Sequence, residues 1–160
     1  MKILDLSAGN RAIWFDKNNP LCTFVDKRES VSPDVVCDTR NILPEKVGKD
    51  FDLVCWDPPH MNCGPKSQMS KRYGYHTTAD ILDTIEKTSE SVLKVLKPGA
   101  LMAFKWNDHD IKLERVLALM PKWEPLFGHR LRNMSGISKS NKKRSLSQSY
   151  WVMLRVRESS

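Results

Sequence analysis

Residues 51–60 read Phe-Asp-Leu-Val-Cys-Trp-Asp-Pro-Pro-His, an apolar strand-forming run that ends abruptly in a carboxylate, two prolines and an imidazole. Each proline lacks an N–H and has a fixed φ. Asp57 and Pro58, the residues before prolines, are therefore pushed into extended backbone. The chain leaves the strand as a stiff arch, with Asp57 at its start and the flat ring of His60 at its end. In an open parallel sheet, ligands bind outside the C-terminal ends of the strands, which is where this arch falls. Taken alone, the four residues equally suit a plain Pro-Pro loop with Asp57 as the turn former.

Other strand ends supply more polar groups. Gly9 lets the backbone come close to a ligand. Asp26 follows 17 residues later, near the spacing at which an acid after the second strand binds ribose hydroxyls. Asp38 is placed to accept a hydrogen bond from an exocyclic amine. Read singly, Gly9 is a turn glycine and Asp26 a surface acid; as an ordered set they outline a nucleoside-shaped site. No GxxxxGK[ST] phosphate loop exists, which argues against an NTPase. The GxGxxG pattern is absent: laid on the chain from Ser7, it finds a glycine only at Gly9. A pyrophosphate would be poorly cradled there, so the expected ligand is a nucleoside without phosphates, and a nicotinamide dehydrogenase is disfavoured.

The elements that must position these groups can be read in order. Strands are expected over Lys2–Leu6, Leu21–Val25, Val35–Cys37, Phe51–Trp56 and Ala100–Trp106, most of them closing in an acid, an amide or a turn. Arg11–Lys17 has room for about two helical turns. Thr78 or Asp80 can cap a helix whose apolar face carries Ile81, Ile85, Val92 and Leu96, stopped by Lys97-Pro98-Gly99. Leu113, Val116, Leu117 and Met120 have helical spacing. Alternation of apolar runs with helices implies a mostly parallel sheet with helices on both faces. After Pro121 the alternation stops, and Trp123–Leu131 with Ser149–Arg157 read as an antiparallel edge hairpin.

The 160 residues fit one domain, 1–160, with an ordinary 40% hydrophobic content. No stretch is long and apolar enough to span a membrane, and Met1-Lys2-Ile3 enters a strand with no signal-peptide pattern. The four cysteines lack zinc spacing, which points to a reduced, cytoplasmic protein without a structural metal. The net charge of +7 favours polyanionic partners. Two segments without acids carry it most clearly. In 61–78, Lys71 and Arg72 adjoin Tyr73, a mixture that suits stacking and phosphate contact with unpaired nucleotides. Between Glu124 and Glu158 the run includes Lys142, Lys143 and Arg144. A solvated basic face is the alternative account, but nucleic acid is the stronger reading because both segments lie beside the candidate site.

Leu4-Asp5-Leu6-Ser7-Ala8-Gly9-Asn10, Asp26, Asp38 and Asp57-Pro58-Pro59-His60 together resemble the class I S-adenosylmethionine-dependent methyltransferases, in particular the amino-methyltransferases with an Asp/Asn-Pro-Pro-aromatic motif. The resemblance implies a Rossmann-like α/β fold with a seven-stranded sheet and S-adenosylmethionine as cofactor. It places Asp5, Ser7, Ala8 and Gly9 in the cofactor loop, Asp26 at the ribose, and Asp38 with Thr39 at the adenine. It makes Asp57, Pro58, Pro59 and His60 catalytic.

The implied chemistry is methyl transfer to an exocyclic amine. An aromatic amine is a poor nucleophile because its lone pair is delocalised. The Asp57 carboxylate and the Pro58 carbonyl would accept from its two N–H groups and stabilise the positive charge developing on nitrogen. The target implied is a nucleic-acid base in RNA or DNA, adenine N6 foremost. Cytosine N4, guanine N2 and a protein glutamine offer the same –NH₂. The alternative is a non-catalytic methyltransferase-like module that holds nucleic acid or supports an active partner. In the enzyme, target choice falls to the 61–78 loop, the basic hairpin tip or a partner subunit. The oligomeric state is left open.

Overall fold

The structure is a computed structural model and describes residues 1–62, 76–130 and 149–157. Seven strands form one sheet: β1 (Ile3–Asp5), β2 (Cys22–Asp26), β3 (Val35–Val36), β4 (Phe51–Trp56), β5 (Leu96–Asn107), β6 (Trp123–Arg130) and β7 (Ser149–Val156). Their spatial order is β3-β2-β1-β4-β5-β7-β6. The first five run parallel; β7 pairs antiparallel with both β5 and β6. The chain order reverses at β1, the switch point beside which such sheets bind ligands.

Three α-helices are present among the described residues: α1 (Pro44–Val47), α2 (Thr78–Ser91) and α3 (Leu113–Ala118). Thr77, rather than Thr78 or Asp80, caps α2. Its hydroxyl accepts from Asp80 N while the Asp80 carboxylate accepts from Thr77 N, a reciprocal capping box. All three helices contribute to the larger apolar cluster, which includes Leu4, Val54, Ile81, Ile85, Met102, Phe104 and Val116. Buried polar groups on α2 tie it to the loop after β3: Ser91 Oγ accepts from Ile42 N at 2.6 Å, and Thr88 Oγ1 lies 3.1 Å from Thr39 Oγ1.

Successive residues of a strand point to opposite faces, so Ile3, Cys22 and Phe24 form a second, smaller cluster with Ala8, Trp14, Leu53 and Cys55. A turn-rich segment packs here in place of the helix expected over Arg11–Lys17. Arg11 has φ +58°, which ends any helix at its first residue. Asp16-Lys17-Asn18-Asn19-Pro20 then favours turns, with Asp16 Oδ1 accepting from Asn18 N and Asn19 Oδ1 from Leu21 N. Arg11 itself holds the segment: its guanidinium lies 4.0 Å from the Phe24 ring centroid and donates to Lys17 O, Ser32 O and Asp34 Oδ1.

A second difference concerns Lys97-Pro98-Gly99, which lies inside β5 rather than before it. Phe51 pairs with Leu96 and Leu53 with Leu101, so the strand bulges between them. Gly99 supplies the positive φ, +69°, that the bulge needs.

Candidate functional site

Three carboxylates stand at the C-terminal ends of the neighbouring strands β2, β1 and β4: Asp26, Asp5 and Asp57. The turn after β1 is stitched to both neighbours. Ala8 N donates to Val25 O, and Leu6 N donates to Cys55 O. Ser7 Oγ donates to Asp57 O at 2.9 Å and accepts from Asp57 N at 3.2 Å, so the glycine turn and the proline arch are fastened together. Gly9, at φ +51°, donates its N–H to Asp26 Oδ2 at 2.9 Å. An added Cβ there would sit in a backbone region that L-residues rarely adopt, 3.5 Å from the Arg28 guanidinium.

Asp26 is 5% exposed and already held by a neighbour. Arg28 reaches back two residues, donating from its backbone N and Nε to Oδ1 and from Nη2 to Oδ2, all within 3.0 Å. Burial pushes the Asp26 carboxyl up, but the Arg28 fork and the N–H groups of Arg28 and Gly9 outweigh it and keep it below the usual carboxylate range. Asp38 repeats the arrangement in a more exposed place. Arg40 donates to both its oxygens, the shortest contact being 2.6 Å from Nη2, and holds its carboxyl below the ordinary value.

Asp5 behaves oppositely. It is 2% exposed, and burial pushes its carboxyl up to about 6, although Trp14 Nε1 and Ser7 N donate to it. A carboxyl raised in the folded state contributes stability below its unfolded value and loses it as pH rises through the folded one. Moving from 3.8 to about 6 corresponds to about 3 kcal/mol at roughly 1.4 kcal/mol per tenfold in proton affinity. Asp5→Asn, which cannot ionise, is therefore expected to gain about that much on the wild type between pH 4 and pH 7.5. Denaturant titrations of both proteins across that range check it; a constant difference would mean that Asp5 does not titrate there. The thiols of Cys22 and Cys55 are likewise pushed by burial to about 12, so they stay protonated.

At the arch, Asp57 Oδ2 accepts from Lys105 Nζ at 2.6 Å. Its other oxygen, Oδ1, is buried and has no hydrogen-bond partner among the described residues, with His60 Nδ1 3.8 Å away. His60 Nδ1 lies 3.0 Å from the Pro58 carbonyl, and its ring packs edge-on to Trp106 with centroids 6.0 Å apart. Trp106 is fully buried, with Nε1 donating to Ile111 O.

These groups share one cavity of about 940 Å³, near the upper end of the roughly 300–1,000 Å³ usual for small-molecule sites. Asp57, Pro58, Pro59 and His60 line it, and so do Asp5, Ser7, Ala8, Gly9, Asp26, Asp38 and Thr39. The other expected site residues, Lys71, Arg72, Tyr73, Lys142, Lys143 and Arg144, lie outside the described residues. Sequence reasoning missed four cations that also line the cavity: Arg28, Arg40, Lys105 and Lys27. The signal for the first two was Asp-x-Arg at both strand ends; for the third it was a lone lysine near the end of an apolar strand. Among the described residues, no group of three or more His, Cys, Asp or Glu is placed to hold a metal ion, and no helix is long and apolar enough to cross a membrane.

No protein-family model and no curated protein sequence matches the chain. Solved structures do. TrmN from Thermus thermophilus superposes with a TM-score of 0.62 at 15% identity, over 98% of this chain and 44% of that one. An rRNA methylase from Streptococcus thermophilus gives 0.56 at 15% identity, over 98% and 87%. The fold is that of the class I methyltransferases. The N-methyltransferase NodS from Bradyrhizobium japonicum, solved with S-adenosyl-L-homocysteine, shares that fold with a TM-score of 0.59 at 12% identity, over 98% of this chain and 78% of that one. The present chain thus spans less than half the length of TrmN and most of the other two.

Proposed function

We propose that this chain is an S-adenosylmethionine-dependent methyltransferase that acts on an exocyclic amine of a nucleic-acid base, adenine N6 foremost. One observation carries the reading: Asp57 opens onto the same cavity as Gly9 and Asp26, and Ser7 fastens the two halves together. The residues suit the cofactor. Asp26 and Asp38 offer acceptors for ribose hydroxyls and an adenine amine, and the Gly9 turn admits the nucleoside closely. When bound, S-adenosylmethionine supplies the electrophilic methyl group.

The chain's own groups would then orient the acceptor. The Asp57 carboxylate would accept one amine N–H; its Oδ1 has no hydrogen-bond partner among the described residues but is buried, so the side chain must turn to present it to the cavity. The Pro58 carbonyl can take the other on its second lone pair while still contacting His60. The backbone of both is fixed before substrate arrives, the arch by its prolines and Asp57 by Ser7. The two acceptors stand where positive charge would develop on nitrogen and would stabilise it. A base inside a duplex would have to be flipped out to reach them.

A second reading, a non-catalytic nucleic-acid-binding module, is favoured by the cations that already occupy Asp26, Asp38 and Asp57. Thermal shift separates the two. With S-adenosylmethionine at a hundred times its Kd, the methyltransferase reading expects Tm to rise by roughly 5–10 °C. Incubation with labelled S-adenosylmethionine and total RNA, DNA or protein, followed by nucleoside mass spectrometry, is expected to yield a methylated amino nucleoside. No shift and no labelled product would remove the enzyme reading.

A further inference from the structure

The parallel register pairs Trp56 with Phe104, which sets the next residues, Asp57 and Lys105, side by side at the sheet's C-terminal edge. Lys105 follows Met102, Ala103 and Phe104 and precedes Trp106; Met102, Phe104 and Trp106 are fully buried. Its own side chain is 26% exposed, as is that of Asp57, and both face the cavity. The 2.6 Å contact from Nζ to Oδ2 therefore places an ammonium on the carboxylate that is proposed to receive the substrate amine.

An ammonium has three N–H donors and no acceptor, and Asp57 takes one of them. A ligand that satisfies both members of the pair must offer a donor to the carboxylate and, beside it, an acceptor to the ammonium. Adenine presents this on its Watson–Crick edge as N6–H next to N1, and cytosine as N4–H next to N3. On that edge guanine presents N2–H next to N1–H, two donors in a row; its –NH₂ adjoins an unprotonated nitrogen, N3, only on the opposite, sugar-side edge. The two-donor arrangement would leave Lys105 facing a donor inside a partly dehydrated site, a mismatch that costs more than a missing contact.

We propose that Lys105 is a specificity residue that selects amino-heterocycles whose –NH₂ adjoins an unprotonated ring nitrogen on the Watson–Crick edge, donating to that nitrogen while Asp57 accepts from the amine. The inference rests on the methyltransferase reading above and narrows its substrate to adenine or cytosine. Since Watson–Crick pairing consumes the same ring nitrogen, the target base is unpaired or flipped when it is read.

The test uses the full chain and a single-stranded oligonucleotide centred on whichever site the labelling experiment identifies. The site carries either the natural base or its deaza analogue: 1-deazaadenine for adenine, 3-deazacytosine for cytosine. Wild-type enzyme is expected to show a kcat/KM about 10- to 100-fold lower on the analogue, the effect of losing one hydrogen bond from a charged donor. Lys105→Met should lower the rate on the natural base and bring the two substrates within a few-fold of each other. Lys105→Arg, which keeps a charged donor, should retain discrimination. Comparing ratios between enzymes cancels the analogue's own reactivity. Equal wild-type rates on both substrates, undiminished discrimination in Lys105→Met, or a labelled guanine would overturn the role of Lys105 while leaving the methyltransferase reading intact. Absence of any labelled nucleoside would fell both. Should Lys105→Met fail to fold, the wild-type ratio and Lys105→Arg still decide.

Discussion

Replacing Asp57 with Ala is expected to slow methyl transfer by about 10²- to 10³-fold while S-adenosylmethionine still binds, the range seen when one preorganised transition-state partner is removed. The substitution deletes the carboxylate but none of the backbone contacts that shape the site. Asp57 N and O remain bonded to Ser7 Oγ, and both prolines keep the arch. Cofactor affinity, read by calorimetry, should change little because Gly9, Asp26 and Asp38 are untouched. Single-turnover rates at saturating cofactor isolate the chemical step. A variant that transfers methyl groups at the wild-type rate would remove the assigned mechanism, whatever the substrate proves to be.

Asp26→Ala is expected to act on both stability and binding. The carboxylate gathers the Gly9 N–H and three donors of Arg28 at one buried point. Its removal leaves the glycine turn without its acceptor and the guanidinium without its carboxylate. Arg28 is 31% exposed, so water recovers part of the loss. A cost of about 2–3 kcal/mol follows, or a fall in Tm of roughly 5–10 °C. S-adenosylmethionine should bind at least about 10-fold more weakly, having lost a charged acceptor for its ribose. The pH dependence is opposite to that of Asp5. A carboxyl held below its unfolded value stabilises above that value and ceases to as pH falls through the lowered one. The gap between Asp26→Ala and wild type should therefore close in acid. A gap that persists at pH 2 would show that Asp26 acts through shape rather than charge.

The strand ends were legible in the sequence because each combines an apolar run with an abrupt polar stop. Asp26 and Asp57 fall at such stops, while Asp5 was read as lying inside the first strand, which ends at it; parallel pairing gathers the three strand ends in one row. The edge hairpin was legible for a related reason: two apolar runs after Pro121 with no helical period between them. The segment after Gly9 was misread as helix because its outcome depends on Arg11, whose positive φ and long-range contacts to Phe24, Ser32 and Asp34 exist only once β2 and the following loop are in place. The cations were hidden for a similar reason. Whether an arginine two residues beyond an acid folds back on it depends on backbone direction after the strand. Whether Lys105 meets Asp57 depends on the register of β4 against β5, which no local pattern encodes.

Among the described strands β7 comes last in the chain, yet it is not an edge of the sheet. It lies between β5 and β6 and is bonded along most of its length to both. Until it emerges from the ribosome, β5 and β6 each present a row of open backbone donors and acceptors, and no partner in the nascent chain can close them. Synthesis at about 5–20 residues per second makes this a wait of seconds between β6 and β7. During that time β5 is an open edge of the kind on which another chain can pair.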